Sequence, residues 1–393
     1  MKEGGSTKLF FEFAKFLPSE QFELTFIDTD YFVNDSLSTS EILKVTKGFD
    51  YKTVHSLDKK FRFVELWNKQ MSKPLKLVSI LFYYFLELFI APFYSFFYNE
   101  RGILSSFDFI YFVRNSDIRH FKIAKKTITM GSTHLVELTF KGIKGYFFSK
   151  FYSLLIRRLD GIHFFTELYH NASRIKKNLD LILPNGFTAS NSMYFKRSPM
   201  GKVKFLSIGR LEPSKGIPEL LEAFSKLESP DIELHICGKG SLSNTVKETS
   251  AKDSRVHYYG YLPESELQEL YDICDYFIFP THGETFGLVS LEAISHGLHV
   301  LASYNLLNLG TKSVYQEFQK LNWMTFVNLD PFQLKNKIQE LANNIEIYRS
   351  KRAVDLTNIM GILSKYEWSY LIEEFYSWVR DAISQRAKEI LAG

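Results

Sequence analysis

The segment YFIFPTHGETFGLVSLE, residues 276–292, connects an apolar run to a helical pattern through a short polar loop. The large apolar residues at its start, 276–279, are typical of a strand buried on both faces, as the strands of parallel sheets are. A helix is predicted from Gly287 to Gly297, so the loop leads from the end of a strand into a helix. Free backbone N–H groups at such a helix start would face a negatively charged ligand.

Two glutamates of this segment lie in different parts of it, one in the loop and one in the helix. Glu292 falls within the first two helical turns, where its carboxylate could accept hydrogen bonds from two hydroxyls of a ribose. Glu284 lies in the loop, closer to the far end of such a ligand. The alternative for each is an ordinary surface carboxylate, and a cation loop earlier in the chain argues against it.

That cation loop follows the predicted strand 203–208 and contains Arg210 and Lys215. Because open α/β sheets bind ligands at the carboxyl ends of their strands, two cations at this place suit a phosphate group. The strand 232–237 likewise ends at Gly238, where a missing side chain lets a ligand approach the backbone. The residues that follow do not complete a dinucleotide fingerprint, and dehydrogenase use of the fold is therefore not predicted.

Strand and helix patterns alternate along most of the chain, which indicates parallel sheets. The C-terminal half is predicted to contain strands 203–208, 232–237, 255–259, 276–279 and 299–302, and helices 217–227, 264–274 and 287–297. The N-terminal half is predicted to contain a helix at 7–17 and strands 22–27, 107–113, 127–130, 161–165 and 181–183. The polar segment 188–200 is the expected linker, and an amphipathic helix is expected at about 366–391.

Composition and charge limit the possible classes of protein. The 393 residues, 45% of them hydrophobic, are enough for two folded domains. The two cysteines lie in apolar runs and are interpreted as structural thiols in a reducing compartment, and no secretory signal is found at the start, so a cytoplasmic location is expected. Residues 1–199 carry 28 Lys and Arg against 19 Asp and Glu, a net charge of +9, whereas residues 200–393 carry −5.

The positive charge of residues 1–199 indicates either an anionic partner or a solvated basic surface. Anionic lipid, a phosphate-bearing acceptor and nucleic acid could each use the positive charge, and a solvated basic surface is the alternative. Nucleic acid is not predicted as a partner, because the basic residues are dispersed rather than grouped in a recognisable module.

One stretch, 77–98, is apolar and aromatic over 22 residues, which is long enough to cross a bilayer. Glu87 at its middle and Pro92 oppose a membrane span, and a span would also separate the first strand from its own sheet. Two alternatives remain, a helix with one face for lipid or an apolar acceptor and a wholly internal helix. Because lysines 69, 73 and 76 precede it, an anionic membrane surface is a possible partner of residues 69–101.

The ordered series of motifs between residues 200 and 300 resembles the nucleotide-sugar domain of the retaining glycosyltransferases of family 4. The residues that carry the resemblance are Gly209-Arg-Leu and Lys215-Gly, Gly238-x-Gly240, Val256 to Leu262, Tyr271 with Cys274 to Pro280, and Glu284-x-Phe-Gly287 with Glu292 and Gly297. The resemblance implies the GT-B fold, an α/β architecture of two Rossmann-like domains that face each other across a cleft. It implies an acceptor-side domain at 1–190, a nucleotide-sugar domain at 200–355, and a C-terminal helix at 360–393 that crosses back to the first domain.

The resemblance also implies roles for individual residues. Arg210 and Lys215 would bind the donor diphosphate and stabilise it as it leaves, and Glu292 would hold the ribose. Glu284 would hold the transferred sugar, and His134 would approach that sugar from the N-terminal domain. The donor-binding residues implied in this way are Gly5, Gly209, Gly238, Thr285, Phe286, Gly287, Leu288 and Glu292.

No cofactor is expected beyond the nucleotide-diphosphate sugar, which is the donor substrate. The resemblance implies that the donor phosphate itself can take the acceptor proton, so no second catalytic carboxylate pair is needed. Asp28-Thr-Asp30 is similar to the metal motif of a different glycosyltransferase fold, but it is interpreted as polar loop, and no catalytic metal is predicted. The predicted function is a retaining transfer of a sugar to a lipid-linked or membrane-associated glycan, at the inner face of a membrane. The base, the sugar and the acceptor are not predicted.

Two departures from the family pattern leave an alternative open. Only Met1 to Glu3 precede the glycine pair Gly4-Gly5, so either the start is truncated or the first sheet begins one strand short. The residues after Ser303 lack the glycine-rich turn and the carboxylate usual at this place. A non-catalytic binding or partner subunit with the same fold is therefore the alternative function.

Overall fold

The structure is a computed structural model, and it describes the chain in several ranges. These ranges are 25–29, 50–54, 107–112, 125–132, 153, 156–173, 175–189, 201–284, 286–308, 312–351 and 356–392. The described residues fall into two compact units. The N-terminal unit takes the residues up to Phe164 with His170–Leu183 and Ile372–Gly393, and the C-terminal unit takes Phe165–Tyr169 with Pro184–Leu371. The predicted helix at 7–17 and the stretch 77–98 lie outside the described residues, as do residues 190–200 of the predicted linker 188–200.

The N-terminal unit contains two parallel sheets. Its four-stranded sheet has the order β3-β4-β5-β6, and a separate pair of strands, β1 and β2, forms the other. The strands are β1 (Thr25–Thr29), β2 (Asp50–Val54), β3 (Phe109–Phe112), β4 (Ile128–Ser132), β5 (Gly161–Phe164) and β6 (Leu181–Ile182). The prediction of parallel strands here is confirmed. Asp28 and Thr29 lie within β1, so their interpretation as a polar loop is wrong, because hydrogen bonding to β2 extends the strand beyond its apolar residues.

The C-terminal helix of the chain packs on the N-terminal unit, as expected. This helix, α10 (Trp368–Ala392), is 25 residues long, and from Ile372 onward it belongs to that unit. The ring of Phe109 lies 6.0 Å from those of Phe375 and Trp378, in edge contacts. The Arg386 guanidinium donates to the Asp160 carboxylate at 2.5 Å. Aromatic burial and one ion pair therefore anchor α10 along its length.

The C-terminal unit is built on one six-stranded parallel sheet of order β12-β11-β10-β7-β8-β9. Its strands are β7 (Val203–Ile208), β8 (Ile232–Cys237), β9 (Val256–Gly260), β10 (Tyr276–Phe279), β11 (His299–Ser303) and β12 (Met324–Val327). The remaining helices in chain order are α1 (Glu167–Ala172), α2 (Ile217–Ser225), α3 (Ser243–Lys252), α4 (Glu264–Ile273), α5 (Leu288–Ser295), α6 (Lys312–Lys320), α7 (Pro331–Asn343), α8 (Ile345–Lys351) and α9 (Leu356–Leu363). Every strand of this half that the sequence predicted is present.

Apolar side chains fill both faces of this sheet. Along β7, Phe205 packs in one cluster and Leu206 in the other, because successive strand residues point to opposite faces. All residues of β10 are buried, which explains why its sequence is a continuous apolar run. In α2, the buried residues recur at helical spacing, and Phe224 is 1% exposed. Truncating Phe224 to Ala would cost about 3–5 kcal/mol of stability.

Two features of the helices could not be predicted from periodicity. The helix predicted at 287–297 is shorter, because Gly287 adopts a left-handed φ of 75° and serves as the N-cap of α5. The helix α7 begins after Asp330, whose carboxylate accepts a hydrogen bond from the Gln333 backbone at 2.9 Å. No helix within the described ranges combines the length and apolar character that a membrane span requires.

Candidate functional site

The site is built where the strand order of the six-stranded sheet reverses. The chain runs from β7 outward to β8 and β9, then returns to place β10 on the other side of β7. The loops that follow β7 and β10 therefore both leave the carboxyl edge of the sheet at this reversal. Such a switch point is where open α/β sheets bind their ligands.

Close backbone contact holds the loop after β7 and the loop after β10 together. Gly216, with φ 68°, lies so near Pro280 that a Cβ atom on it would stand 1.6 Å from the Pro280 carbonyl oxygen. The His282 backbone N–H donates to the Ser214 carbonyl at 3.0 Å. Only glycine satisfies both the conformation and the space at position 216. The loop of predicted cations is therefore fixed directly against the loop of Glu284.

Lys215 and Glu284 meet at this junction. The Lys215 ammonium forms an ion pair with Oε2 of Glu284, and its Nζ lies 3.5 Å from the Gly283 carbonyl oxygen. The Lys215 side chain is 15% exposed and that of Glu284 is 27% exposed, so the pair is accessible from solvent while partly shielded by protein. An ammonium in this setting can exchange its carboxylate partner for a ligand phosphate.

Arg210, the other predicted cation, extends from the same loop into solvent. It is exposed, and within the described residues it makes no ion pair. The nearby carboxylate of Glu212 is engaged by Ser241, whose N–H and hydroxyl donate to it at 3.0 and 2.5 Å. These hydrogen bonds are the main reason that the pKa of Glu212 lies below its ordinary value. The Arg210 guanidinium therefore remains available for an anionic ligand.

A glycine contact brings the loop after β8 against the loop after β7. A Cβ atom on Gly238, whose φ is 143°, would lie 1.8 Å from the Gly209 carbonyl oxygen. The Leu211 N–H donates to the Lys239 carbonyl at 3.0 Å, and the Leu242 N–H donates to the Leu211 carbonyl at 2.9 Å. The two predicted glycines thus form one rigid backbone surface without side chains at the carboxyl edge.

The start of α5 faces the same edge. Gly287 offers no side-chain cap, and a Cβ atom on it would lie 2.4 Å from the hydroxyl of Tyr315. That hydroxyl donates a hydrogen bond to the Phe286 carbonyl, while the Phe286 side chain is buried. Leu288 is half-buried at the first helical position. The buried Tyr315 therefore fixes the backbone just before the helix, a role that the sequence interpretation did not assign.

Glu292 lies in the second turn of α5, as predicted. Its Oε2 lies 3.4 Å from the hydroxyl of Tyr271, which donates to it. The Tyr271 ring stacks on His296 with centroids 4.5 Å apart. Tyr271 thus orients the Glu292 carboxylate, and its place among the sequence motifs was noted without this function.

The structure joins Lys215 to Glu284 and brings Gly209 against Gly238, while it places Arg210 on the loop after β7 and Glu292 on α5. His134, Gly5 and Thr285 lie outside the described residues, so their roles stay predictions. His282 was not predicted as a contributor, yet its Nε2 lies 2.8 Å from Oε1 of Glu219 on α2. This hydrogen bond gives the Glu284 loop a further attachment to the neighbouring helix. The signal for it in the sequence was a polar residue next to Gly283, which is too weak to identify a partner.

Known proteins resemble this chain in sequence over one region and in fold more widely. Residues 191–350 match the family model of the glycosyl transferases group 1. Glycogen synthase of Mycobacterium tuberculosis is 31% identical over 135 residues, which cover 33% of this chain and 32% of that protein. The sequence similarity therefore spans about a third of this curated relative.

Two solved structures extend the similarity to the fold. The Anabaena protein Alr3699/HepE, crystallised in complex with UDP, has a TM-score of 0.62 and 13% identity, with 97% of each chain covered. A mutant of S. aureus TarM, crystallised with fondaparinux, alpha-GlcNAc-glycerol and UDP, has a TM-score of 0.57 and 17% identity over 72% of this chain and 58% of that chain. The fold of this chain is that of the GT-B glycosyltransferases, and its residues 191–350 carry the sequence pattern of glycosyl transferases group 1.

Proposed function

We propose that this protein is a glycosyltransferase that moves a sugar from a nucleotide-diphosphate sugar to an acceptor. The observation that carries the proposal is the junction of Lys215 and Glu284 at the switch point of the six-stranded sheet. A cation there suits the diphosphate, and a carboxylate beside it suits the hydroxyls of the sugar. The similarity of residues 191–350 to glycosyl transferases group 1 supports the same assignment.

In the proposed reaction, the bond between the anomeric carbon and the diphosphate oxygen breaks, and its electron pair leaves with the phosphate. The acceptor hydroxyl oxygen forms the new bond to that carbon, and its proton passes to the departing phosphate oxygen. Lys215 and Arg210 stabilise the negative charge that develops on the leaving group. Charge stabilisation of this kind is commonly the largest catalytic contribution of an active site.

The retaining outcome and independence from a metal ion are parts of this proposal. A retaining outcome fits because the acceptor would attack from the face that the leaving group vacates, where the phosphate oxygen can take the proton. The two cations of one loop, Lys215 held by Glu284 and Arg210 at the surface, can supply the charge that a divalent ion supplies in other transferases. The anomeric configuration of the product, determined by NMR, tests the retaining outcome. Turnover in the presence of a chelator tests independence from a metal ion.

The donor is proposed to be held along the carboxyl edge in a defined order. The diphosphate lies over Gly209 and Gly238, where no side chain obstructs the backbone, and the ribose hydroxyls donate to Glu292. The sugar lies nearest Glu284. Because HepE and TarM were crystallised with UDP, uridine diphosphate sugars are the first donors to test.

Turnover of a nucleotide sugar is the decisive experiment. A thermal-shift screen of nucleotide sugars would first identify the donor, since a ligand at a hundred times its dissociation constant stabilises a protein by roughly 2.7 kcal/mol. Release of nucleoside diphosphate with that donor is then expected, faster with acceptor than without. If the wild-type chain binds a nucleotide sugar but releases no nucleoside diphosphate with any acceptor tested, the second candidate is favoured. That candidate is a non-catalytic partner subunit.

The acceptor is proposed to be a lipid-linked or membrane-associated glycan, reached by peripheral binding at the cytoplasmic face. The support is the net charge of +9 in residues 1–199 and the apolar, aromatic stretch 77–98, both of which are features of the sequence. Each cation near an anionic headgroup adds roughly 1 kcal/mol of attraction, which salt screens. The protein should therefore float with anionic liposomes at low salt, float poorly with neutral ones, and be released in part by higher salt. A chain that stays with the soluble fraction beside anionic liposomes would contradict this part of the proposal.

A further inference from the structure

Three side chains with metal-binding atoms share one face of the six-stranded sheet, at its β8 and β9 edge. Glu233 and His235 are two residues apart on β8, so both point to the same face. His257 on β9 is the register partner of His235 and joins them there. These residues, Glu233, His235 and His257, form what we call the edge cluster.

The donor atoms of the edge cluster converge on one point. Nε2 of His235 lies 3.5 Å from Oε2 of Glu233, and Nε2 of His257 lies 3.7 Å from Oε1 of the same carboxylate. One ligand atom from each residue lies within 4.8 Å of the others. Atoms bound tetrahedrally to Zn²⁺ at 2.0–2.1 Å lie roughly 3.3 Å apart, so the cluster needs only small side-chain rotations to reach that spacing.

Both imidazoles have an unsatisfied nitrogen at this point. Nε2 of His235 and Nε2 of His257 are buried and have no well-formed hydrogen bond within the described part of the chain. His235 as a residue is only 4% exposed, so its Nε2 cannot be satisfied by bulk water. Because a buried polar atom without a partner costs free energy, two such atoms aimed at one carboxylate form a donor set that a cation would satisfy.

Neighbouring groups prepare the cluster for a cation. Nδ1 of His235 lies 2.8 Å from the hydroxyl of Tyr259, so this nitrogen can carry the proton and leave Nε2 with a lone pair. The Lys202 ammonium donates to Oε1 of Glu233 at 3.0 Å and occupies the edge of the site. Lys202 is nearly half exposed and can move into solvent when a metal ion replaces its charge.

We propose that Glu233, His235 and His257 bind a divalent transition-metal ion of the Zn²⁺ class through one carboxylate oxygen and two Nε2 atoms. Two imidazoles and one carboxylate are a known zinc donor set, and the fourth position would be filled by water. Tyr259 is a positioning residue that holds the His235 ring through Nδ1. The bound ion would link the edge strand β9 to β8 through side chains in addition to the backbone ladder.

This site is separate from the proposed donor loops. Glu233 is the second residue of β8, whereas Gly238 follows the end of that strand, which corresponds to about 16 Å along an extended chain. The Gly238 N–H nevertheless donates to the Gly260 carbonyl at the end of β9, at 2.6 Å. A metal ion that holds β8 and β9 together would thus stabilise the strand pair from which the Gly238 loop extends.

Zinc titration of the full-length chain tests the proposal. The protein is stripped with a chelator, exchanged into metal-free buffer and titrated with Zn²⁺ by calorimetry, with Co²⁺ absorption as a spectroscopic probe of tetrahedral coordination. One ion per chain is expected in the wild type, together with a higher melting temperature. His257→Gln should weaken Zn²⁺ binding at least about a hundredfold, since even loss of an outer-shell partner costs ten- to a hundredfold.

Further variants separate metal binding from a purely structural effect. Tyr259→Phe should weaken binding about ten- to a hundredfold while leaving the fold intact, and Lys202→Met should strengthen it by removing the competing ammonium. His170→Gln is the matched control, since His170 lies 3.6 Å from a single carboxylate, that of Asp180, and belongs to no such cluster. Because His257 is partly exposed, its variant should fold even if His235→Gln does not. Equal Zn²⁺ affinity in the wild type and in His257→Gln would overturn the proposal, whatever the outcome of the turnover assay.

Discussion

Two junctions of the same sheet place a glutamate beside a nitrogen base, and they differ in where the side chains come from. At the β7 and β10 junction, Lys215 and Glu284 extend from loops that follow the strand ends. At the β8 and β9 junction, Glu233 and His257 extend from the strands themselves. The first pair joins an ammonium to a carboxylate at the carboxyl edge of the sheet, whereas in the second two imidazole nitrogens face one carboxylate.

The difference shows which kind of site a sequence reveals. Loop residues after parallel strands appear in the chain as strand, glycine, polar residues and helix, and this order can be recognised. Residues on adjacent strand faces are separated by an unrelated helix, and only the register of His235 with His257 unites them. Lys215 and Glu284 were both predicted as site residues, although their ion pair was not, whereas the second junction was found only in the folded sheet.

The largest effect on stability is expected from adding a methyl group at Gly216, where the loop after β7 contacts the loop after β10. Gly216→Ala should destabilise the C-terminal unit by roughly 3–5 kcal/mol, because the new Cβ would overlap the Pro280 carbonyl and the φ of 68° is strained for alanine. Gly260→Ala is the matched control, since Gly260 has φ 67° and no atom within 4 Å of the added Cβ. Its cost should be only about 1–2 kcal/mol. Urea midpoints for both variants measure the difference, and equal midpoints would mean that the loops separate easily.

Removing the cations should break the first junction chemically. Lys215→Ala and Arg210→Ala are each expected to raise the activation free energy of the transfer by about 2–4 kcal/mol, which lowers turnover of the donor thirtyfold or more. Both variants should keep their circular dichroism, because neither side chain is part of the core. The control is Lys226→Ala, because Lys226 follows the end of α2 and its ammonium pairs with the exposed Glu222 of that helix. Near-normal rates in both loop variants would remove the donor-site assignment.

His163 of the N-terminal unit provides a comparison with the second junction, because both of its ring nitrogens have hydrogen-bond partners. In His163, Nδ1 lies 2.7 Å from the Tyr111 hydroxyl and Nε2 lies 2.8 Å from the Leu183 carbonyl oxygen. Burial lowers the pKa of His163 to about 4, although the hydrogen bond to Leu183 opposes this shift. The unfolded chain binds this proton more readily than the folded protein does. The contribution of His163 to the free energy of unfolding is therefore fully present above pH 6.5 and is lost as the pH falls toward 4.

The expected loss between pH 7 and pH 5 is about 2 kcal/mol for this one group. His163→Gln should be less stable at pH 7 and should lose about that much less on acidification, measured by urea unfolding at both pH values. Comparison of the two proteins removes the contribution of carboxylates that titrate in the same window. An unchanged pH dependence in His163→Gln would show that the folded protein accepts the proton without cost.

The smallest effect is expected from Glu292. Glu292→Gln should weaken binding of the bare nucleoside diphosphate by roughly 1.5 kcal/mol, or about tenfold, because a charge-assisted hydrogen bond to the ribose becomes a neutral one. Glu284→Gln should leave nucleotide binding almost unchanged and lower turnover instead. Calorimetry with the nucleotide alone distinguishes the two residues. A loss of nucleotide affinity in Glu284→Gln as large as that in Glu292→Gln would reverse the proposed orientation of the donor.

The sequence predicted the parallel arrangement and most of the strands, although β2 and β12 were not among the predicted strands. It also placed the candidate site residues in relation to the strand ends. The apolar run 276–279 predicted a strand buried on both faces, and the spacing of the apolar residues in α2 predicted a helix that packs on one side. These signals are local, because side-chain burial on a strand or a helix repeats with the period of its own backbone. The positions of Arg210, Lys215, Glu284 and Glu292 relative to strand ends were readable for the same reason.

Only the tertiary structure decided which residues touch across those elements. Gly216 must be glycine because Pro280, on another loop, lies against it, and Tyr315 orients Phe286 from a separate helix. The edge cluster exists because the register of β8 and β9 places residues 24 and 22 positions apart in the chain, Glu233 and His235 with His257, on one face. Strand order and register depend on packing between distant segments, and no local periodicity encodes that packing.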